Sequence, residues 1–225
     1  MTFINMRIVT VLLIFFLNLH ASASENSGGN MPDHEWSFEG ITGTFDKAAL
    51  QRGFKVYREI CSGCHSMRLL YYRDLIEIGF SEEEVKAIAS DYTVIDGPDD
   101  EGEMFERDAK PSDHFVGPFA NDQEARMSNN GSLPPDLSVI SKARVNGANH
   151  LYNLLLGYTE PPENFEVAEG MYYNQWMNGN QIAMGPPLDE GYVDYDDGTE
   201  NTLPQLAEDL VTFLVWSAEP ELEAR

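Results

Sequence analysis

Cys61-Ser62-Gly63-Cys64-His65 is the stretch whose reading decides the fold. Two thiols three positions apart on a helical turn can reach the two vinyl groups along one porphyrin edge, and the following residue then places an imidazole beneath the iron. The pentad fits the C-x-x-C-H pattern of haem attachment. Zinc is a weaker reading, because a structural zinc takes four ligands and the chain has only two cysteines, both in this motif. A thioredoxin-like redox pair would not require the following His or the apolar, aromatic surroundings. With both thiols engaged by the motif, no disulfide is possible within the chain.

Upstream of the motif, Leu50, Phe54, Tyr57 and Cys61 recur at spacings of four, three and four, one face of a helix that begins at the N-cap residue Asp46. Gly53 in its middle costs about 1 kcal/mol relative to Ala, so another backbone or ring is expected to approach closely there. Downstream, Ser81 and Glu84 form a capping box at the start of a helix running through Val85, Ile88 and Ala89. Residues 91–136 are rich in Asp, Pro, Gly and Asn and read as a long loop with little regular structure. A helix is predicted over about Gly147–Leu156, ended by Gly157 and shut off by Pro161-Pro162. Residues 171–188 read as an irregular apolar segment ending in Gly185-Pro186-Pro187, and Asp189–Glu200 is acidic. The last helix starts with a Thr202–Gln205 capping box and Pro204 in its first turn, and carries an apolar stripe of Leu206, Leu210 and Phe213 or Leu214.

The chain ends bear on location. Arg7, the apolar run Ile8–Leu19 and Ala21-Ser22-Ala23 make residues 1–23 a cleavable signal peptide, since the run is short against the about 20 residues of a spanning helix. Residues 24–43 lack periodicity and read as an N-terminal arm, leaving 44–225 as one haem domain. The 225 residues carry a formal charge of -24, which excludes nucleic acid as a partner. That acidity serves either solubility or the steering of a basic protein partner, and composition does not choose between them.

The sixth ligand sets the type of haem protein. Methionine raises the potential and closes the iron, whereas an open site suits oxygen or peroxide chemistry. Of nine methionines, Met184 stands out because Gly185-Pro186-Pro187 stiffens the loop after it, a brace that Met171 and Met177 lack. His34, His114 and His150 sit in or beside polar segments and read as ordinary surface or hydrogen-bonding residues. Haem propionates need cationic partners, and Arg126 and Arg144 are both candidates.

Beyond these local readings, the chain resembles the cytochrome c1 family from about Arg52 to Pro220. The resemblance rests on Arg52-Gly53-Phe54, Val56-Tyr57, the pentad with Ser66-Met67, and Tyr72-Arg73. Asp96-Gly97-Pro98, Gly102-Glu103-Met104-Phe105, Asn129-Asn130-Gly131, Leu133-Pro134-Pro135-Asp136-Leu137-Ser138, Gly157-Tyr158 and Glu160-Pro161-Pro162 follow in the family's order. Ala183-Met184-Gly185-Pro186-Pro187-Leu188 resembles the axial-methionine block, and Asp196-Asp197-Gly198-Thr199 with Trp216-Ser217-Ala218-Glu219-Pro220 resembles the closing block.

The resemblance implies a mainly α, class I cytochrome c-like fold around one covalent haem c, enlarged by long loop insertions, with the first helix crossing the last near Gly53. It implies thioether anchors at Cys61 and Cys64, axial ligation of the iron by His65 and Met184, and Arg144 rather than Arg126 at a propionate. It also implies an electron-transfer subunit of the cytochrome bc1 complex rather than a stand-alone catalyst. Such a subunit sits with cytochrome b and is membrane-associated through the complex, on the periplasmic or intermembrane-space face. It takes electrons from the Rieske iron-sulfur protein and passes them to a soluble basic c-type cytochrome. Two departures stand out: the family often has Tyr where this chain has His150, and it continues past its Ala-Glu-Pro-Glu block into a basic stretch and a transmembrane helix, whereas this sequence ends at Arg225.

Overall fold

The computed structural model describes residues 31–224, and the signal-peptide reading of residues 1–23 lies outside them. In chain order the elements are α1 (Lys47–Val56), a π-helical turn (Tyr57–Cys61), a 3-10 turn (Tyr72–Ile76), α2 (Glu82–Ser90), β1 (Thr93–Asp96), β2 (Phe105–Asp108), α3 (Asp122–Ser128), α4 (Gly147–Leu156), β3 (Tyr172–Tyr173), β4 (Gln181–Ile182), α5 (Leu203–Ala218) and a 3-10 turn (Pro220–Ala224). This is a mainly helical, class I cytochrome c-like fold with long loops.

The fold is organised by the crossing of α1 and α5. A Cβ built on Gly53 would lie 2.0 Å from the Asp209 carbonyl oxygen and 2.8 Å from Phe213 Cβ, so only glycine permits the approach. The close approach expected at Gly53 is thus made by the last helix, as the family resemblance implies. Beside it, Arg52 forks onto the fully buried Asp209, with Nε and Nη2 each 2.9 Å from a carboxylate oxygen. The apolar face of α1 supplies the buried Leu50, Phe54 and Tyr57, and α5 answers with Leu206, Leu210, Phe213 and Leu214. Phe54 meets Phe213 edge-on and Phe115 tilted, while Tyr57 lies tilted on Phe213 and stacked on Phe115, with Tyr72 stacked beyond Phe115.

Caps behave largely as their chemistry dictates. Asp46 accepts from the Ala48 amide, and the Ser81–Glu84 box is reciprocal. Thr202 accepts from the Gln205 amide, but the return bond from the Gln205 side chain does not form, so the predicted box at α5 is only half present. α4 spans the predicted Gly147–Leu156 and stops at Gly157.

The reading of 91–136 as nearly structureless needs correcting. It holds an antiparallel hairpin, with Thr93 opposite Asp108 and Asp96 opposite Phe105, and the helix α3. The hairpin's strands have four residues each and are mostly exposed, and α3 buries only Ala125, so neither leaves an apolar period to detect. Asn121 caps α3 by accepting from the amides of both Gln123 and Glu124, a signal present in the sequence but unsupported by any stripe. Within 171–188, β3 and β4 pair as a second, very short ribbon.

The described part of the arm is packed, not free. Trp36 and Phe38 are buried, and Asn149 Oδ1 on α4 accepts from the His34 amide (3.1 Å) and from Trp36 Nε1 (2.8 Å). One turn later Asn153 donates to the Pro32 carbonyl at 2.9 Å.

Replacing Gly53 by Ala forces backbone apart at the α1–α5 crossing. G53A is expected to destabilise the holoprotein by about 3 kcal/mol, the upper end of ordinary overpacking, measured as a shift of the denaturant midpoint at constant slope.

Candidate haem site

The pentad sits where α1 changes pitch. Ser62 N–H donates to the Tyr57 carbonyl (2.8 Å), a five-residue step, and the amides of Cys64 and His65 then both turn back to the Cys61 carbonyl at 3.1 and 2.8 Å. Such a π turn is characteristic of functional positions inside helices. It places Cys61, Cys64 and His65 on one tight corner, with both thiols free. Desolvation, then the neighbouring Cys64, pushes the Cys61 thiol up to about 12, so it stays protonated at neutral pH.

His65 is held at both ends. Its backbone carbonyl accepts from the Tyr57 hydroxyl at 3.2 Å, and its ring Nδ1 lies 2.8 Å from the Pro135 carbonyl oxygen. A carbonyl can only accept, so Nδ1 carries the proton. Desolvation lowers the pKa of the ring below the usual histidine value, outweighing the Pro135 hydrogen bond and the nearby Asp136. The neutral ring therefore presents the lone pair of Nε2, as ligating histidines with a second-shell carbonyl do.

Pro135 is fixed in turn by its neighbour. Asp136 accepts from Ser66 Oγ (3.0 Å), the Arg68 amide (2.9 Å) and the Ser138 amide (2.9 Å), while Leu137 N–H donates to the Ser66 carbonyl (2.8 Å). Ser138 Oγ accepts from the Leu69 amide at 3.1 Å. Residues 133–138 are thus laced to 66–69, seventy positions away in sequence. Local sequence marks Pro135 and Asp136 only as part of a Pro-Pro-Asp run that closes a polar loop. Burial would raise the Asp136 pKa, yet these hydrogen bonds together hold it below the ordinary value.

Met184 stands two residues beyond β4 and is half-buried. Tyr158 Oη donates to its carbonyl at 3.0 Å. Behind it, a Cβ on Gly185 would lie 3.1 Å from Cζ of the Tyr172 ring, so the stiff Gly-Pro-Pro segment rests on an aromatic face. Farther on, Lys55 binds Asp196 (2.7 Å) and Arg52 binds Asp197 (2.8 Å), returning the chain to α1.

Arg144 and Arg126 are both exposed, and each donates to a backbone carbonyl, of Ala143 at 3.0 Å and of Gly131 at 3.1 Å. Neither pairs with a carboxylate among the described residues, so the fold leaves both guanidinium groups with donors to offer. Burial, followed by the charge of Arg144, lowers the pKa of the half-buried His150. His34 is less ordinary than its polar neighbours implied: its ring is packed 4.5 Å from Trp36 and 4.4 Å from Tyr152, with Nε2 3.7 Å from Glu208. His114 lies tilted against Tyr71, with ring centroids 3.8 Å apart.

Two free thiols, an oriented neutral imidazole and a braced methionine loop on a class I cytochrome fold suit a c-type cytochrome. The model of the Cytochrome C1 family matches residues 36–225. Cytochrome c1 1, a mitochondrial heme protein of Arabidopsis thaliana, is 46% identical over 217 residues, 96% of this chain and 70% of that one. Cytochrome c1 of Rhodospirillum rubrum is 44% identical over 226 residues, covering 93% and 83% of the two chains. The mitochondrial cytochrome b-c1 complex catalytic subunit of Candida albicans is 42% identical over 206 residues, 91% of this chain and 72% of that one. The chain belongs to the cytochrome c1 family. Its role is electron transfer and its cofactor is haem c.

Asp136 offers a pH test of this scaffold. Its folded-state pKa lies below the ordinary 3.8, so its contribution is complete above that value and is lost as the pH falls through the folded pKa. Asp136→Asn should cost about 1–3 kcal/mol at neutral pH and remove that share of the acid-induced loss, read from stability measured across acidic pH.

Proposed function

We propose that the chain holds one haem c through thioether bonds at Cys61 and Cys64, with His65 and Met184 as axial ligands and Arg144 beside a propionate. It works as the electron-transferring subunit of a cytochrome bc1 complex. The observation that carries this reading is the His65 ring, whose Nδ1 proton is committed to Pro135 and whose Nε2 is left for iron. When bound, the haem supplies a one-electron iron couple. The two thiols fix its edge to the π turn, and the Pro135 carbonyl holds the imidazole plane. A methionine thioether at the sixth position keeps the potential high and the iron closed to outside ligands. The Arg144 guanidinium matches a carboxylate in two parallel hydrogen bonds.

The Candida albicans relative bears the name of a b-c1 complex subunit. On that footing the chain lies beside cytochrome b, receives electrons from the Rieske iron-sulfur protein, and delivers them to a soluble basic c-type cytochrome. It does so on the periplasmic or intermembrane-space side, to which residues 1–23 direct it. The acidic surface supports the choice of acceptor. Asp99, Asp100, Glu101 and Glu103 are exposed at the tip of the β1–β2 hairpin. In the second cluster Asp196 and Asp197 are already neutralised by Lys55 and Arg52, which leaves Asp189, Glu190, Asp194 and Glu200 exposed to attract cations.

The purified holoprotein should keep its pigment through acid-acetone extraction, and neither cyanide nor carbon monoxide should change its spectrum promptly at neutral pH. Pigment lost to the solvent would refute covalent attachment, and prompt ligand binding would favour a haem enzyme with an exchangeable site.

Electron transfer to a basic cytochrome c should slow at least about tenfold from low to high ionic strength. A rate indifferent to salt would reject acidic steering.

A further inference from the structure

We propose that Tyr158 is a positioning residue for the sixth ligand: its hydroxyl fixes the Met184 carbonyl and so holds the backbone from which the thioether reaches the iron. The proposal rests on the reading of Met184 as an axial ligand.

Tyr158 is itself anchored at a dense corner. It forms an isolated antiparallel bridge with Asn174, and Gln175 N–H donates to the Gly157 carbonyl at 3.0 Å. Asn174 is fully buried; its Nδ2 donates to the Leu154 carbonyl at the end of α4 (2.8 Å), and its Oδ1 accepts from the Trp176 amide (3.1 Å). A Cβ at Gly157 would fall 2.6 Å from both Asn174 Oδ1 and Trp176 Cδ1, so the backbone at this corner has no slack. From there the Tyr158 ring reaches across the base of the β3–β4 ribbon to the residue two beyond its second strand, 3.0 Å from the Met184 carbonyl. The end of α4, the ribbon and the methionine loop are tied through this one side chain. Desolvation raises the phenol pKa, so the hydroxyl remains a donor throughout the physiological range.

Methionine is poorly suited to hold its own place. It has three rotatable bonds and a soft, neutral sulfur, so the fraction of time the sulfur is off the iron depends on how firmly its backbone is held. Tyr172 supports Gly185 by packing alone. Tyr158 supplies a directional bond to the ligand residue itself. Losing one neutral hydrogen bond changes an equilibrium by about fivefold.

The test uses the ferric holoprotein of Tyr158→Phe, which keeps the ring and its packing, beside wild type and Tyr172→Phe. The expected result is cyanide binding about fivefold faster in Y158F, with the far-red sulfur-to-iron charge-transfer band lost at lower pH than in wild type and the melting temperature lowered by no more than about 4 °C. Y172F should match wild type. Wild-type kinetics and band in Y158F would overturn the role of Tyr158 while leaving Met184 as ligand. Wild type that itself lacks the band and binds cyanide promptly would overturn Met184 and the proposal together. Equal loosening in Y172F, or a Y158F protein that fails to fold or retain haem, would show a general structural effect and would equally overturn it.

Discussion

The contact between α1 and α5 at Gly53 is the constraint from which the rest follows. Because position 53 has no side chain, the backbone carbonyl of Asp209 occupies the space a Cβ would need. The two helices then lie close enough for Phe54 and Tyr57 to meet Phe213. Arg52 and the buried Asp209 flank the same point; removing one partner of such a pair costs about 3–5 kcal/mol, although the intact pair adds little over apolar packing. Its value lies in orientation. With α1 pinned in both position and rotation, the π turn that follows can leave the helix face only in one direction, and Cys61, Cys64 and His65 are delivered together.

Charge ties the remaining loops to the same helix. Arg52 and Lys55 bind Asp197 and Asp196, so the acidic segment that follows the methionine loop is drawn back onto α1 about two turns ahead of the pentad. A chain of -24 would repel itself if its acids were evenly spread. Here some carboxylates are consumed in holding loops, while others stay exposed, among them those of the hairpin tip and the 189–200 segment. The acids that hold loops and those proposed to steer a partner thus look alike in sequence.

Legibility followed the range of the forces involved. α1, α2, α4 and α5 could be placed because each declares itself through a cap, an apolar stripe or a terminating glycine within a few residues. The β1–β2 hairpin and α3 could not, since their side chains are largely exposed and bury too little to leave a period. At the site, the two cysteines and His65 were readable as one contiguous pentad. Met184 drew notice through its Gly-Pro-Pro brace, and family resemblance rather than mechanics preferred it. Between Arg126 and Arg144 neither spacing nor exposure distinguishes, because both guanidinium groups face solvent and bind only a nearby carbonyl.

By itself the sequence determined the attachment motif, the helices and the need for a close approach at Gly53, all of which are read from residues within a turn or two of each other. Only the tertiary structure decided which carbonyl orients His65, how Asp136 secures it, that Asn149 and Asn153 receive the N-terminal arm, and that Tyr158 meets Met184. The physical reason is that a hydrogen bond between segments tens of residues apart constrains two side chains without imposing any period on either segment. Such pairings exist only once the core has brought the segments together.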